Sequence, residues 1–489
     1  MSDNSDAWRP LLAELHERTA TARSMGAVAK IERQHSRGRQ TVRERINALC
    51  DTDSYREIGA LAGGNPPSGG AAVPCDAVVG GVGRIDGRSA VVLAEDFTVM
   101  GGSIGHANAA KRARLVRLAT EQALPLVLML DGAGERASNG TERYAMAPSD
   151  LALLADIKGQ VPVVALIMGN SAGHGALTGM FADFIIITEG SALFTAGPPL
   201  VKAALGLDAT PEQLGGARMH ASKSGVVHNL AASEAEAIAM ARYFLSLLPT
   251  RAGEALPSLA GADIAKPRRV DRLLDLIPPQ LNIPFDIREV LNELVDAQTL
   301  FELQPLFGAS LITAMARIGG TPCMIIANQP AVLAGSITTN AADKATHFIE
   351  VAGSFGLPLI NLIDNPGVMP GPQSEQAGIL KAAGRMYAAQ RRYRGKKIAV
   401  ILRKAFGFGS SVMGLNPYDR QCAVIALPSV SLGGVPAIGG AQAARATGEE
   451  AEKMAEAQSG AWVPADAMVF DSVIEPAELR NEIIAALRR

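Results

Sequence analysis

Two short runs of glycine carry the residue types best suited to chemistry in this sequence. They are Gly169–Gly175 and Gly407–Gly409, and each follows an apolar stretch typical of a buried strand and precedes a helical pattern. Glycine lets a ligand approach the main chain closely, and a turn from strand to helix exposes backbone N–H groups. Two such groups aimed at one carbonyl oxygen form an oxyanion hole, worth about 3 kcal/mol per donor. The same device at two places favours a function over tight packing alone.

The first glycine run also matches the GxSxG pattern of a hydrolase nucleophile, with Ser171 at its centre. His228 and Asp208 are the possible downstream partners of such a nucleophile. Against this interpretation, the sequence has no HGGG-type motif upstream, and Ala405 stands where the second run should repeat the serine. A hydrolase is therefore the second-ranked interpretation of these residues.

The histidines and cysteines show no spacing typical of a metal site. There is no HExxH motif, and Cys50, Cys75, Cys323 and Cys422 form no CxxC pair. Scattered cysteines are typical of reduced thiols in a cytosolic protein. The sequence also lacks a phosphate-binding loop of the Walker type and a biotin-attachment segment. We therefore predict a cytoplasmic protein without a metal site, unable to fix bicarbonate with ATP by itself.

The composition argues against several classes of protein. The 489 residues are 48% hydrophobic and 19% charged, which is typical of globular domains. The 46 Lys and Arg nearly balance the 48 Asp and Glu, so a nucleic-acid-binding protein is not expected. No apolar run approaches the roughly 18 residues of a membrane span, so no membrane partner is expected. The highly charged first 45 residues are interpreted as a helical arm that packs on a neighbour.

The sequence contains one unit twice. Val332–Ile337 repeats Val99–Ile104 at a distance of 233 residues. The pairs matched at this offset, or at one residue more, include Lys111 and Lys344, Asp131 and Asp364, and Gly173 and Gly407. The period is far too long for a solenoid, so it indicates a duplicated domain. We place the two domains at residues 1–255 and 256–489, divided within a segment rich in Pro, Gly and Ala.

Each copy alternates apolar strands with helices. In the first copy we predict strands at 91–94, 126–130 and 161–168, and helices at 107–122, 149–158 and 176–181. We predict Lys111, Arg112, Arg114 and Arg117 on the faces of helix 107–122 away from its apolar residues. Continuous apolar strands between helices indicate a parallel sheet covered on both faces. The fold class is therefore α/β, and ligands bind such sheets where strands end.

Several ordered motifs accompany the glycine runs. They are Gln34–Arg39, Thr41–Ile46, Asp96–Ser103, Asn328–Pro330, Asp364–Gly367 and Arg403–Ala405. With them the chain, from about residue 29 to residue 441, resembles the carboxyltransferase (β) subunits of biotin-dependent acyl-CoA carboxylases, such as those for propionyl-CoA and acetyl-CoA. The resemblance implies two tandem crotonase-like domains, which agrees with the duplication.

The resemblance also implies the reaction and its site. The first domain would bind the acyl-CoA and the second would bind carboxybiotin, whose carboxyl group moves to the carbon alpha to the thioester through an enolate. The first oxyanion hole falls on Gly173 and His174, and the second on Phe408 and Gly409. We expect substrate binding at Gly102, Ser103, Gly134, Arg136 and Ser411.

The resemblance implies partners as well. Biotin would arrive as carboxybiotin on a partner chain, a biotin carboxylase or biotin carrier subunit, and the chain itself would form a homo-oligomer built from dimers, as a hexamer. Departures from the family pattern concentrate in the second domain, at Phe408, Thr338, Ala382 and Ser431. They leave two alternatives open: a biotin-independent decarboxylase, hydrolase or lyase on the same fold, and a non-catalytic scaffold subunit.

Overall fold

The computed structural model describes residues 2–64, 71–137, 149–259, 266–416, 419–436, 442 and 445–489. The chain divides into two compact units, residues 1–254 and 255–489. Each unit contains one mixed sheet with helices packed against it. Among the described residues, no helix is long and apolar enough to cross a membrane.

The first unit is built on one sheet. Its strands are β1 Arg56–Glu57, β2 Val78–Ile85, β3 Arg88–Glu95, β4 Leu126–Gly132, β5 Val163–Ala172, β6 Phe184–Thr188, β7 Ala192–Phe194 and β8 Asn229–Ala231. Its helices are α1 Ser2–Arg23, α2 Val28–His35, α3 Val42–Leu49, α4 His106–Gln122, α5 Asp150–Ile157, α6 Gly173–Gly179, α7 Pro198–Leu205, α8 Pro211–Gly215, α9 Ala217–Met219 and α10 Glu234–Ser246. The strand order is β1-β2-β3-β4-β5-β6-β8, with β7 beside β5. The strands β3 to β6 are parallel, as predicted.

The second unit repeats this plan. Its strands are β9 Phe301–Leu303, β10 Leu311–Ile318, β11 Thr321–Asn328, β12 Leu359–Asn365, β13 Lys397–Phe406, β14 Gln421–Ala426, β15 Ser431–Gly433 and β16 Ser472–Val473. Its helices are α11 Leu273–Leu276, α12 Ile287–Leu294, α13 Thr339–Phe355, α14 Pro372–Gln376, α15 Ile379–Arg392, α16 Gly407–Val412, α17 Gly448–Gln458, α18 Trp462–Asp466 and α19 Leu479–Arg488. The strand order is β16-β14-β13-β12-β11-β10-β9, with β15 beside β13.

The register of the sheets confirms the duplication. The strands β3 and β4 pair as β11 and β12 do, with every partner shifted by 233 residues. On the next strand Leu126 pairs with Val163, whereas its counterpart Leu359 pairs with Lys397, which moves the offset to 234. The single inserted residue predicted from the glycine runs therefore lies before β13.

The glycine runs belong to strands and helices rather than to separate turns. β5 continues to Ala172 and α6 begins at Gly173, three residues before the helix predicted at 176–181. The second unit has the same direct junction, since β13 ends at Phe406 and α16 begins at Gly407. The first turn of each helix thus lies immediately at the end of a buried strand.

The basic residues of α4 do not all lie on its outer faces. Arg114 and Arg117 are exposed, as predicted, but the prediction is wrong for Lys111 and Arg112, which are buried. The Lys111 ammonium donates to the carbonyl oxygen of Val78 at 2.7 Å. Burial of two cations is tolerated because each has polar partners inside the unit.

Candidate functional site

The junction between β5 and α6 contains the first predicted oxyanion hole. Gly173 has a φ of +52°, a left-handed backbone that residues with a Cβ rarely adopt. His174 follows it in the first turn of α6. The first amides of a helix have no carbonyl partner within that helix, so they can donate to an acceptor outside it. Both residues of this pair thus lie where a helix begins, and their role as an oxyanion hole stays a prediction.

A cavity of about 450 Å³ opens beside the first junction. Gly173 and His174 line it together with Gly134, which follows β4, and Pro198 of α7. A second and mainly apolar cavity of about 570 Å³ adjoins it, since Gly173 and Phe194 line both. An apolar space beside backbone donors suits an acyl group that carries a polar carbonyl.

Gly102 and Gly134 bring backbone segments together at this end of the sheet. A Cβ at Gly134 would lie 2.7 Å from the carbonyl oxygen of Ala172, and one at Gly102 would lie 2.4 Å from that of Asp131. Both glycines also have a positive φ. Only glycine fits such close approaches. Gly134 lines the cavity of about 450 Å³, whereas Gly102 packs against the end of β4, and a role of either in substrate binding stays a prediction.

Ser103 and Arg136 are bonded to each other. The Arg136 guanidinium donates to the carbonyl oxygen of Ser103 at 2.9 Å and to its hydroxyl at 3.2 Å. It also pairs with Asp76 at 2.7 Å. The Ser103 hydroxyl donates to the carbonyl oxygen of Met100 at 2.8 Å. These contacts hold two loops together, and a role of either side chain in substrate binding stays a prediction.

The side chain of His174 belongs to a chain of charged groups that the sequence analysis missed. Its Nε2 lies 2.7 Å from Oδ1 of Asp150, whose Oδ2 accepts a hydrogen bond from Arg112 Nε at 2.7 Å. Arg112 also pairs with Glu95 at 3.0 Å. Burial opposes the ionisation of Asp150, but the hydrogen bond from His174 and the charge of Arg112 hold the pKa of its carboxyl well below its usual range.

One signal in the sequence could have indicated these linked charged side chains. Arg112 lies on the same helical stripe as Leu115 and Ala119, and a base on an apolar stripe needs a buried acid. Which acid it meets depends on the fold, since Glu95 ends β3 and Asp150 begins α5.

The junction between β13 and α16 has the same backbone conformation as the first junction, but its side chains differ. Gly407 has a φ of +57°, and the Phe408 side chain that follows it is 53% exposed. A Cβ at Gly409 would lie 2.7 Å from the Cα of Gly367, so α16 packs closely on the loop after β12. Ser411 is half-buried in α16. At the offset of 234 residues, Phe408 is the counterpart of His174, and Gly409 is the counterpart of Gly175.

The nucleophile elbow of the second-ranked hydrolase interpretation is not formed at Ser171. Ser171 lies inside β5, between Gly132 and Leu193 of the flanking strands, and is fully buried. The His228 ring accepts a hydrogen bond from the Ile185 amide at 3.1 Å, and Asp208 pairs at the surface with Lys202. A nucleophile must reach its substrate, so the arrangement argues against the hydrolase interpretation.

Comparison with known proteins gives one answer. The family model described as carboxyl transferase domain matches residues 33–488. The chain is 34% identical to methylmalonyl-CoA decarboxylase subunit alpha of Veillonella parvula, over 97% of this chain and 94% of that protein. It is also 34% identical to the methylmalonyl-CoA carboxyltransferase 12S subunit of Propionibacterium freudenreichii subsp. shermanii, over 97% and 93%.

A solved structure agrees with these relatives. The crystal structure of transcarboxylase 12S, described as a hexamer assembly with methylmalonyl-CoA bound, superposes with a TM-score of 0.91 at 33% identity. The match covers 98% of this chain and 95% of that one. The predicted pair of crotonase-like domains is thereby confirmed. This chain belongs to the carboxyl transferase domain family, and it is an enzyme of the acyl-CoA carboxyltransferase class.

Proposed function

We propose that this chain moves a carboxyl group between carboxybiotin, carried by a partner chain, and the alpha carbon of an acyl-CoA. The observation that carries the proposal is the duplicated junction between a buried strand and a helix. Gly173 and Gly407 form these junctions, and both glycines have a positive φ. The names of the relatives add the substrate class, since several refer to methylmalonyl-CoA or to propionyl-CoA.

The first unit holds the acyl-CoA in this proposal. Removal of the alpha proton places negative charge on the thioester oxygen, and the backbone N–H groups of Gly173 and His174 stabilise that charge. Loss of one such donor costs about 10²-fold to 10³-fold in rate. The apolar cavity beside Gly173 receives the acyl chain, and Gly134 lines the adjoining cavity of about 450 Å³.

The residues at the second junction have the chemistry needed to bind biotin. Biotin joins an apolar bicycle to a polar ureido oxygen, and the exposed Phe408 ring stands beside the backbone donors of the second junction. Biotin would be held by the Phe408 ring and by the backbone amides of Phe408 and Gly409. When bound as carboxybiotin, it supplies the carboxyl group. Ser411 lies in the same short helix. The departure at Thr338 has a local role here, since its hydroxyl caps α13 by accepting from the Ala341 amide.

The proposal extends to partners and assembly. Residues 1–255 form the acyl-CoA side and residues 256–489 the biotin side. A biotin carboxylase or biotin carrier subunit delivers the carboxyl group. The transcarboxylase relative is described as a hexamer, and we propose a homo-oligomer built from dimers for this chain too.

The test is an assay of the chain purified with its natural partners, using acetyl-CoA, propionyl-CoA and butyryl-CoA with labelled bicarbonate and ATP. We expect label in a 2-carboxyacyl-CoA and its loss when avidin sequesters biotin. Turnover that avidin leaves unchanged would instead support a biotin-independent enzyme.

A backbone variant separates an active subunit from a scaffold. Gly173→Ala strains a left-handed residue and shifts the donors, so we expect about a 100-fold loss of turnover. Gly87→Ala is the matched control, since Gly87 has a φ of +79° in the β2–β3 hairpin with open space around it. If both variants leave the turnover of the complex unchanged, this chain is a scaffold.

A further inference from the structure

The His174 ring has a defined orientation and tautomer. Its Nε2 lies 2.7 Å from Asp150, which is ionised and can only accept a hydrogen bond. The hydrogen is therefore on Nε2, and Nδ1 of the neutral ring keeps its lone pair. The ring also lines the cavity of about 450 Å³ where the proposed function places the reacting thioester. An imidazole held in this way is arranged as an acid–base group.

Charged side chains lie on both sides of the ring. Asp150 of α5 faces Nε2, and Oε2 of Glu135, in the loop after β4, lies 3.9 Å from Nδ1. Arg112 of α4 stands behind Asp150 and pairs in turn with Glu95 of β3. The ring thus lies between two carboxylates, and the shorter contact, to Asp150, fixes its orientation.

The second unit has the same fold but lacks these linked charged side chains. The counterparts of Glu95, Arg112 and His174 are Asn328, Ala345 and Phe408, and the position of Asp150 falls at residues 383–384, an alanine and a glycine.

The contact between the Glu95 side chain and the main chain of β4 has a counterpart without charge in the second unit. Glu95 accepts from the Asp131 amide at 2.9 Å, and Asn328 accepts from the Asp364 amide at 3.1 Å. The same sheet therefore forms without the ions. Buried ions are costly to desolvate and contribute little net stability. The second unit has none of these four side chains at the matching positions, which favours a chemical role for them in the first unit.

We propose that His174, oriented by Asp150, is a general base that exchanges the alpha proton of the bound acyl-CoA with solvent, without biotin. The inference rests on the proposed function, because it needs the acyl-CoA at the first junction. The Cα–H bond breaks, its electron pair moves into the thioester to form the enolate, and the proton binds the lone pair of Nδ1. In the reverse step a deuteron acquired from D₂O returns from Nδ1 to Cα, so atoms and charge balance.

The experiment incubates the purified chain alone with acetyl-CoA, propionyl-CoA or butyryl-CoA in D₂O and follows deuterium at Cα by mass spectrometry. Calorimetry measures acyl-CoA binding separately. We expect exchange by the wild type, a loss of at least 100-fold in His174→Gln, and binding by that variant within threefold of the wild type. Exchange is also measured across a range of pH, and any pH dependence that the wild type shows should be absent from His174→Gln.

Two further variants keep the test decisive. Asp150→Asn retains the ring but removes its charged partner, and we expect at least a tenfold loss of exchange. His35→Gln is the matched control, since His35 pairs with Glu44 at 3.0 Å on the exposed surface, and it should exchange at the wild-type rate.

The outcomes distinguish this inference from the proposed function. Wild type that binds acyl-CoA and performs avidin-sensitive transfer, yet exchanges no deuterium, would overturn the inference alone. Exchange that persists in His174→Gln would do the same. Wild type that binds none of the three acyl-CoA compounds would overturn both.

Discussion

Ser171 is a residue whose burial decides its chemistry. Its hydroxyl is enclosed in β5, and no hydrogen-bond partner for it is found among the described residues. We expect Ser171→Ala to keep turnover within about threefold of the wild type, since removing an unpaired buried hydroxyl is nearly neutral. The avidin-sensitive transfer assay measures this. A loss near 10³-fold, roughly 4 kcal/mol in the barrier, in a normally folded variant would revive the hydrolase interpretation.

At the scale of the element, the charged chain ties β3, α4 and α5 together. Arg112→Met leaves the Glu95 and Asp150 carboxylates buried without their cation, and we expect a loss of about 3–5 kcal/mol in the free energy of unfolding. Adding Glu95→Gln and Asp150→Asn removes both charges, so the triple variant should regain much of that stability while exchanging no alpha proton. Denaturant unfolding compares the variants, and a triple variant no more stable than Arg112→Met would contradict the argument.

The helix α13 carries a buried cation in the second unit. The Lys344 ammonium donates to the carbonyl oxygen of Phe307 at 2.6 Å, but burial lowers the pKa of Lys344 to about 7. An unfolded lysine has a pKa of about 10.4, so between these values the unfolded chain binds a proton that the folded chain does not. Stability contributed by this residue therefore rises with pH from about 7 to about 10.4.

The free energy of unfolding, measured by denaturant titration across that pH range, tests the prediction. Lys344→Met should lack this rise, whereas Lys381→Met, which changes an exposed lysine of α15, should keep it. An identical pH dependence in wild type and Lys344→Met would contradict the assignment.

At the scale of the whole molecule, the duplication predicts two separable half-reactions. Phe408 is exposed in the second unit and His174 lies in the first. We expect Phe408→Ala to raise the KM for the biotin carrier about tenfold, equivalent to about 1.4 kcal/mol of lost apolar contact. Acyl-CoA binding and alpha-proton exchange should stay at wild-type values. Loss of exchange in Phe408→Ala would show that the halves are not separable.

Much of the architecture could be predicted before the structure. The repeat at 233 residues, the apolar strands and the glycine runs are visible along one dimension, because a buried parallel strand reads as a continuous apolar run. The junction residues Gly173 and Gly407 were identified for the same reason. The helix that follows each glycine began earlier than predicted, since glycine weakens the helical pattern without ending the helix.

The sequence by itself determined the duplication, the fold class and the positions of both junctions, since periodicity and repetition are properties of neighbouring residues. Only the tertiary structure decided which side chains meet. It buried Ser171, turned Arg112 inward, and placed Asp150 against His174. These contacts join residues from four separate elements, and the energy of a buried charge depends on which partner the fold brings within hydrogen-bond distance. No local pattern in the chain contains that information.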